Sequence, residues 1–219
     1  MQRFHESLVG RYERAVLGHL CKRLPLWIKS DHLTALGFMG AVVTCLGDWL
    51  GSIHVSFLWL AIAGLTLNWF GDSLDGTIAR YRRAERPQYG FFVDHTIDGF
   101  AMAFVAVGFG LSPMAHLGVA LFVLLCYYLV VISTLTTCLA TGVFRVSFGG
   151  VGPTEVRLGI IACTASAAIL PIPHYVIMGV NFTLYDAIIA AFAAGLLTTA
   201  ITHAFKTAKN LAKIDPPQY

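Results

Sequence analysis

Residues 71–100 read GDSLDGTIARYRRAERPQYGFFVDHTIDGF, and the fold follows from how this stretch is read. It carries four carboxylates at fixed spacing, Asp72 and Asp75 at i,i+3 and Asp94 and Asp98 at i,i+4. On α-helices, each pair projects from one face. Long apolar runs lie on the outer side of both pairs, before Asp72 and after Asp98. Charge beside membrane-length apolar segments is expensive and marks a functional site by default. Gly76, Ala79 and Gly90 are small residues around the acids, and Arg80 supplies one fixed positive charge.

The residue types point to a chemistry. Four carboxylates around one cavity repel one another unless cations neutralise them. An all-oxygen ligand set favours a hard divalent ion such as Mg²⁺, Mn²⁺ or Ca²⁺. Small side chains beside the acids leave room for a phosphate chain to approach the backbone, and the planar fork of Arg80 suits a phosphate oxygen. Metal-assisted phosphoryl-type transfer at a membrane surface fits this set. Paired acids also suit a cation pathway in a transporter.

Composition sets the class. Of 219 residues, 57% are hydrophobic and 12% charged, and the mean hydropathy is +0.70. These values exclude an ordinary soluble domain and indicate an all-α polytopic membrane protein. The net charge of +3 is modest, and no nucleic-acid partner is expected. The five cysteines show no CxxC or metal-ligand spacing, which fits small hydrophobic packing residues. The opening segment MQRFHESLVGRYERAV lacks the apolar core and cleavage site of a signal peptide.

The apolar segments predict six spans, over about 32–52, 55–75, 91–111, 115–140, 156–172 and 183–205, each near the ~20 residues a crossing needs. Residues 1–29 alternate basic and apolar groups, predicting an amphipathic helix on an anionic membrane face. Residues 30–207 then form the membrane domain and 208–219 a short tail. All 15 lysines and arginines fall in the N-terminal segment, in 80–90, in 145–157 or after the sixth span. The alternate loops have none, which places both termini and the acid cluster on the cytoplasmic side. A five- or seven-span chain would break this partition.

The pattern Asp72-x2-Asp75-Gly76-x2-Ala79-Arg80-x9-Gly90-x3-Asp94-x3-Asp98 resembles the signature of the CDP-alcohol phosphotransferase family, with all eight positions present. The resemblance implies a six-helix enzyme of a prokaryotic plasma membrane, homodimeric as in the family. Such an enzyme transfers a substituted phosphate from a CDP-alcohol to a hydroxyl acceptor and releases CMP, with lipids among its substrates. It further implies that Asp72, Asp75 and Asp94 hold two Mg²⁺ or Mn²⁺ ions, with Asp98 as ligand or base. Gly76, Ala79 and Gly90 would admit the cytidine and phosphates, and Arg80 would hold a phosphate. The segment SDHLTALG, residues 30–37, is similar to the Pro-Asn-x-x-Thr-x-x-Gly opening of family members, with Ser30 and Asp31 replacing Pro and Asn. Thr34 is the nucleotide contact it offers.

His95, directly after Asp94, resembles the choline and ethanolamine phosphotransferase branch, as does the Thr154-Glu155 pair. His95 is a candidate proton acceptor assisted by Glu155, as an alternative to Asp98. A histidine that bonds a helix carbonyl and a glutamate that caps a helix are the structural readings of these two residues. Arg145 and Arg157 are candidate contacts to an acceptor, a phosphate or an anionic head group, or else interfacial anchors. Two substrate sets remain open. His95 and the GPTEVR region favour a CDP-amino alcohol donor with a diacylglycerol-like acceptor. The compact size favours a CDP-diacylglycerol donor with a small polar alcohol. The acid motif has no counterpart in the C-terminal half, which counts against a transporter built from repeats.

Overall fold

The computed structural model describes residues 10–142, 152–177 and 179–216. Among the described residues there are seven helices: α1 (Gly10–Arg23), α2 (Ser30–Gly51), α3 (Leu58–Tyr81), α4 (Pro87–Leu111), α5 (Leu117–Thr141), α6 (Pro153–Ile169) and α7 (Leu184–Ile214). A 3-10 turn at Val55–Phe57 leads into α3, and a two-stranded antiparallel hairpin, β1 (His174–Ile177) and β2 (Val180–Thr183), leads into α7. The protein is an all-α polytopic membrane protein, as its composition predicts.

Helices α2 and α3 form the tightest pair. Their contact faces are lined by small residues at helical spacing, Gly37, Gly40, Thr44 and Gly47 on α2 against Ala61, Gly64, Asn68 and Gly71 on α3. A Cβ on Gly71 would lie 2.3 Å from the Gly37 nitrogen, and one on Gly40 would lie 2.4 Å from the Asn68 nitrogen. Only hydrogen fits there. Close backbone contact through small residues is how helices associate in lipid, where burial of apolar side chains gives no net drive. The buried Asn68 side chain donates to the Gly37 carbonyl at 2.9 Å and pins the register. Gly108 of α4 meets the Cys45 backbone in the same way, which brings α4 onto α2.

Among the described residues five segments, α2, α3 with its preceding turn, α4, α5 and α7, are long and apolar enough to cross a membrane. The remaining expected span is α6, 17 residues long, at the lower limit of about 17 residues for a crossing. It still runs from end to end of the bundle. Near its start Arg157 pairs with Asp72, and near its end Ala167 packs with Leu58, Met114 and Tyr185 at the opposite pole. Pro171 stops it, because the preceding Leu170 is held extended (φ −111°, ψ 152°).

Several boundaries differ from those expected. Helix α3 runs to Tyr81 and α4 begins at Pro87, so the loop between the acid pairs is 82–86 rather than 80–90. Pro87 occupies the first turn of α4, where its fixed φ and missing N–H are no loss. Asp94 and Asp98 therefore sit in the second and third turns of α4. Helix α7 extends to Ile214, so most of the expected tail is helical, with residues 217–219 outside the described set. The hairpin was not predicted; Gly179, at φ +81°, supplies the left-handed conformation its tight connection needs. Helix α1 confirms a helix in the N-terminal segment, with residues 1–9 outside the described set. Its Leu17 and Cys21 pack against Leu33, Leu74 and Ile78.

Asp48, in the last turn of α2, is fully buried, and neither carboxyl oxygen has a hydrogen-bond partner among the described residues. An unsatisfied buried polar group costs about 1–3 kcal/mol. Asp48→Ala should therefore raise the unfolding midpoint in detergent by several degrees, at about 2–4 °C per kcal/mol. An unchanged or lower midpoint would refute this. Gly71→Ala should prevent recovery of folded protein, whereas Gly118→Ala, with nothing within 4 Å of the added Cβ, should be neutral. Size-exclusion profiles of the two variants check the glycine contact.

Candidate active site

The α2–α3 contact ends where the acids begin. Its register sets Thr34, in the second turn of α2, beside Asp75, two turns from the end of α3. The Thr34 hydroxyl donates to the Asp75 carboxylate at 2.6 Å, and the Ser30 hydroxyl donates to the Asp75 backbone carbonyl at 3.0 Å. The Gly76 N–H donates to the other Asp75 carboxyl oxygen. Asp75 is buried and held from three sides.

Asp72, Asp94 and Asp98 each present a carboxyl oxygen within 4.8 Å of the others. Two come from α4 and one from α3, so helix packing rather than sequence adjacency gathers them. A small cleft joins these three acids to Asp75, Thr34 and Asn68. Arg157 of α6 reaches in from the third side and pairs with Asp72 at 2.7 Å. The Tyr128 hydroxyl of α5 donates to the Gly99 carbonyl at 2.8 Å.

The other expected site residues fall as follows. Arg80 is exposed at the end of α3 and donates to the Thr77 hydroxyl at 3.3 Å. A Cβ on Gly76 would lie 3.2 Å from the Arg80 guanidinium, whereas one on Gly90 would meet nothing within 4 Å. Ala79 is partly buried beside them. The His95 Nδ1 lies 2.8 Å from the Phe91 carbonyl and 3.7 Å from an Asp94 oxygen. A carbonyl only accepts, so Nδ1 carries the hydrogen, and in the neutral ring the lone pair lies on Nε2. Glu155 accepts from the Gly152 N–H at 3.0 Å as the capping residue of α6. Arg145 lies outside the described residues.

Two pairings were missed in the sequence. The capping-type polarity of Ser30 and Thr34 at a helix start concealed their reach to an acid 41–45 positions away. Arg157 read as a phosphate contact or an anchor, and its partner Asp72 is 85 positions earlier; only an excess of acids over bases in the motif hinted that a cation was owed.

A helical membrane bundle with a carboxylate-lined cavity near one end is suited to hold a hard cation and a phosphate-bearing substrate within the bilayer's reach. The family model described as CDP-alcohol phosphatidyltransferase matches residues 27–203, and the chain belongs to that family. Its members are transferases of substituted phosphate groups that act on CDP-alcohols in phospholipid synthesis. This membership sets aside the cation-pathway reading. No curated protein matches the chain.

The Arg157–Asp72 pair is largely enclosed, with side chains 10% and 22% exposed. Removing one partner of a buried pair leaves a charge uncompensated. Arg157→Met should lower stability in metal-free buffer by up to about 3 kcal/mol, and added Mg²⁺ should restore much of it. Thermal unfolding with and without Mg²⁺ checks this, and an unchanged midpoint in metal-free buffer would refute it.

Proposed function

We propose that the protein transfers the substituted phosphate of a CDP-amino alcohol, such as CDP-choline or CDP-ethanolamine, to a diacylglycerol-like hydroxyl and releases CMP. The observation behind the metal-dependent transfer is the meeting of Asp72, Asp94 and Asp98 within 4.8 Å in a chain of this family, and His95 beside Asp94 favours the amino-alcohol donor. Crowded like charges with only oxygen donors suit a hard divalent ion. When bound, two Mg²⁺ or Mn²⁺ ions would polarise the pyrophosphate and offset charge on the departing CMP oxygen.

Asp72, Asp75, Asp94 and Asp98 hold the ions, with Thr34 orienting Asp75 rather than contacting the nucleotide. Gly76, Ala79 and Gly90 let the cytidine and phosphates approach the backbone, and Arg80, at the rim, takes a phosphate oxygen. The acceptor oxygen attacks the phosphorus distal to cytidine in line. The bond from that phosphorus to the CMP phosphate oxygen breaks. The acceptor's proton passes to His95 Nε2, the lone-pair nitrogen that the Phe91 carbonyl bond selects. Asp98 serves as ligand, and Glu155 supports the site by capping α6. Arg157 balances Asp72. The acid end faces the cytoplasm of a prokaryotic plasma membrane, as the basic loops support, and the enzyme works as a homodimer.

The second reading keeps the same ions and reverses the lipid's role: CDP-diacylglycerol donates to a small polar alcohol. Arg145 and Arg157 would then be acceptor contacts.

The test follows CMP release by purified protein in lipid with Mg²⁺ or Mn²⁺. CMP from CDP-choline or CDP-ethanolamine that depends on diacylglycerol is expected. CMP from CDP-diacylglycerol alone selects the second reading, and no CMP from any donor overturns both. Asp98→Asn should abolish turnover while nucleotide binding stays measurable. His95→Gln should lower kcat by about 10²–10⁴-fold, the usual range for a lost proton acceptor. Wild-type turnover in either variant would remove that residue from its role.

A further inference from the structure

At the acid end Arg82 reaches the backbone of the segment that follows α1. Its guanidinium donates to the backbone carbonyls of Leu24 at 3.0 Å and Pro25 at 2.9 Å. It also donates to the Ile28 carbonyl and, at 3.4 Å, to that of Leu26. These carbonyls belong to the linker that follows α1, where Pro25 ends helical pairing. Carbonyls at and beyond a helix C-terminus lack intrahelical partners, and a cation complements that end of the helix dipole. Arg82 supplies both donors and charge from another element.

The loop that bears Arg82 is shaped for this contact. Arg83 stands at φ +53°, a left-handed position usually taken by glycine. Its N–H donates to the Arg80 carbonyl at 3.2 Å, and the Ala84 N–H donates to the Ala79 carbonyl at 2.9 Å. This doubly bonded turn stops α3 with Arg82 as its C-cap residue. At the far end of the loop Arg86 pairs with Asp31 and lies 3.9 Å over the Tyr89 ring. The loop between the two acid pairs therefore grips the linker through Arg82 and the first turn of α2 through Arg86.

What the linker leads into matters for the site. Ser30 and Thr34 open α2 immediately after it, and both bond Asp75. We propose that Arg82 is a positioning residue. By gathering the linker carbonyls it fixes where α2 starts, and through Ser30 and Thr34 it sets the aim of the Asp75 carboxylate. This inference rests on the proposed role of Asp75 as a divalent-cation ligand. Groups that orient a ligand alter metal affinity by about 10–100-fold when removed.

The experiment uses the full chain in detergent and measures Mn²⁺ binding without nucleotide, by the electron paramagnetic resonance signal of free Mn²⁺. Trypsin cleavage within residues 22–29 and thermal unfolding are followed in parallel. Arg82→Ala should weaken Mn²⁺ binding by about tenfold, with faster cleavage and a midpoint within a few degrees of wild type. Thr34→Val should weaken Mn²⁺ binding similarly without faster cleavage. The double variant should bind no more weakly than the weaker single variant, because both act through one carboxylate. Arg82→Lys, which keeps the charge but not the planar fork, should fall between wild type and Arg82→Ala; it replaces Arg82→Ala if that protein does not fold. Wild-type Mn²⁺ binding in the Arg82 variant, whatever the cleavage rate, overturns the proposal. Multiplying losses in the double variant do the same. Asp75→Asn separates the two levels: wild-type Mn²⁺ binding in that variant overturns the ligand role on which the proposal rests.

Discussion

The bare backbone contact between α2 and α3 is the constraint on which the rest of the structure depends. With lipid outside, apolar side chains gain little by turning inward, so the helices are held by close approach and by the few polar groups between them. Gly37, Gly40, Gly64 and Gly71 allow that approach, and Asn68 converts it into one register. Slip the pair by one turn and Thr34 no longer faces Asp75. Helix α4 is then placed by Gly108 against Cys45, which carries Asp94 and Asp98 to Asp72. The site is a consequence of helix spacing several turns away.

Collecting carboxylates in this way has an electrostatic cost, and the fold answers part of it internally. Arg157 pairs with Asp72, while the Thr34 hydroxyl and the Gly76 N–H donate to the Asp75 carboxylate. Hydrogen bonds to an ionised carboxylate are among the stronger ones in proteins. The need for Arg157 at the acid end also explains how a helix as short as α6 is positioned. Its first turns are committed to the site and its last to the core around Leu58 and Tyr185.

The two poles of the bundle solve a second problem, that of backbone groups where helices stop. At the acid end Arg82 takes the carbonyls of the α1–α2 linker. At the opposite pole the Asp186 carboxylate accepts from the backbone N–H of His116 at 2.8 Å and of Thr183 at 2.9 Å. The His116 ring bonds the same carboxylate at 2.7 Å. One side chain thus satisfies the starts of both α5 and α7. Near a membrane, where water is scarce and orphaned backbone groups are costly, such shared caps tie the helices together.

Much was legible in the sequence because it depends on local chemistry. Apolar length predicts spans, and the i,i+3 and i,i+4 spacing puts each acid pair on one helix face. Those properties need only the period of the α-helix and the cost of charge in lipid. The family signature added the reaction class. What the tertiary structure alone decided is which groups meet. Arg157 to Asp72, Thr34 to Asp75 and Arg82 to the linker carbonyls each join positions 41 or more residues apart, and no local pattern encodes a distance of that kind. The same holds for the short hairpin before α7 and for the extra helix beyond the acids, in α3 to Tyr81 and in α4 from Pro87. Capping and proline chemistry settle those boundaries only once the neighbouring helices are in place.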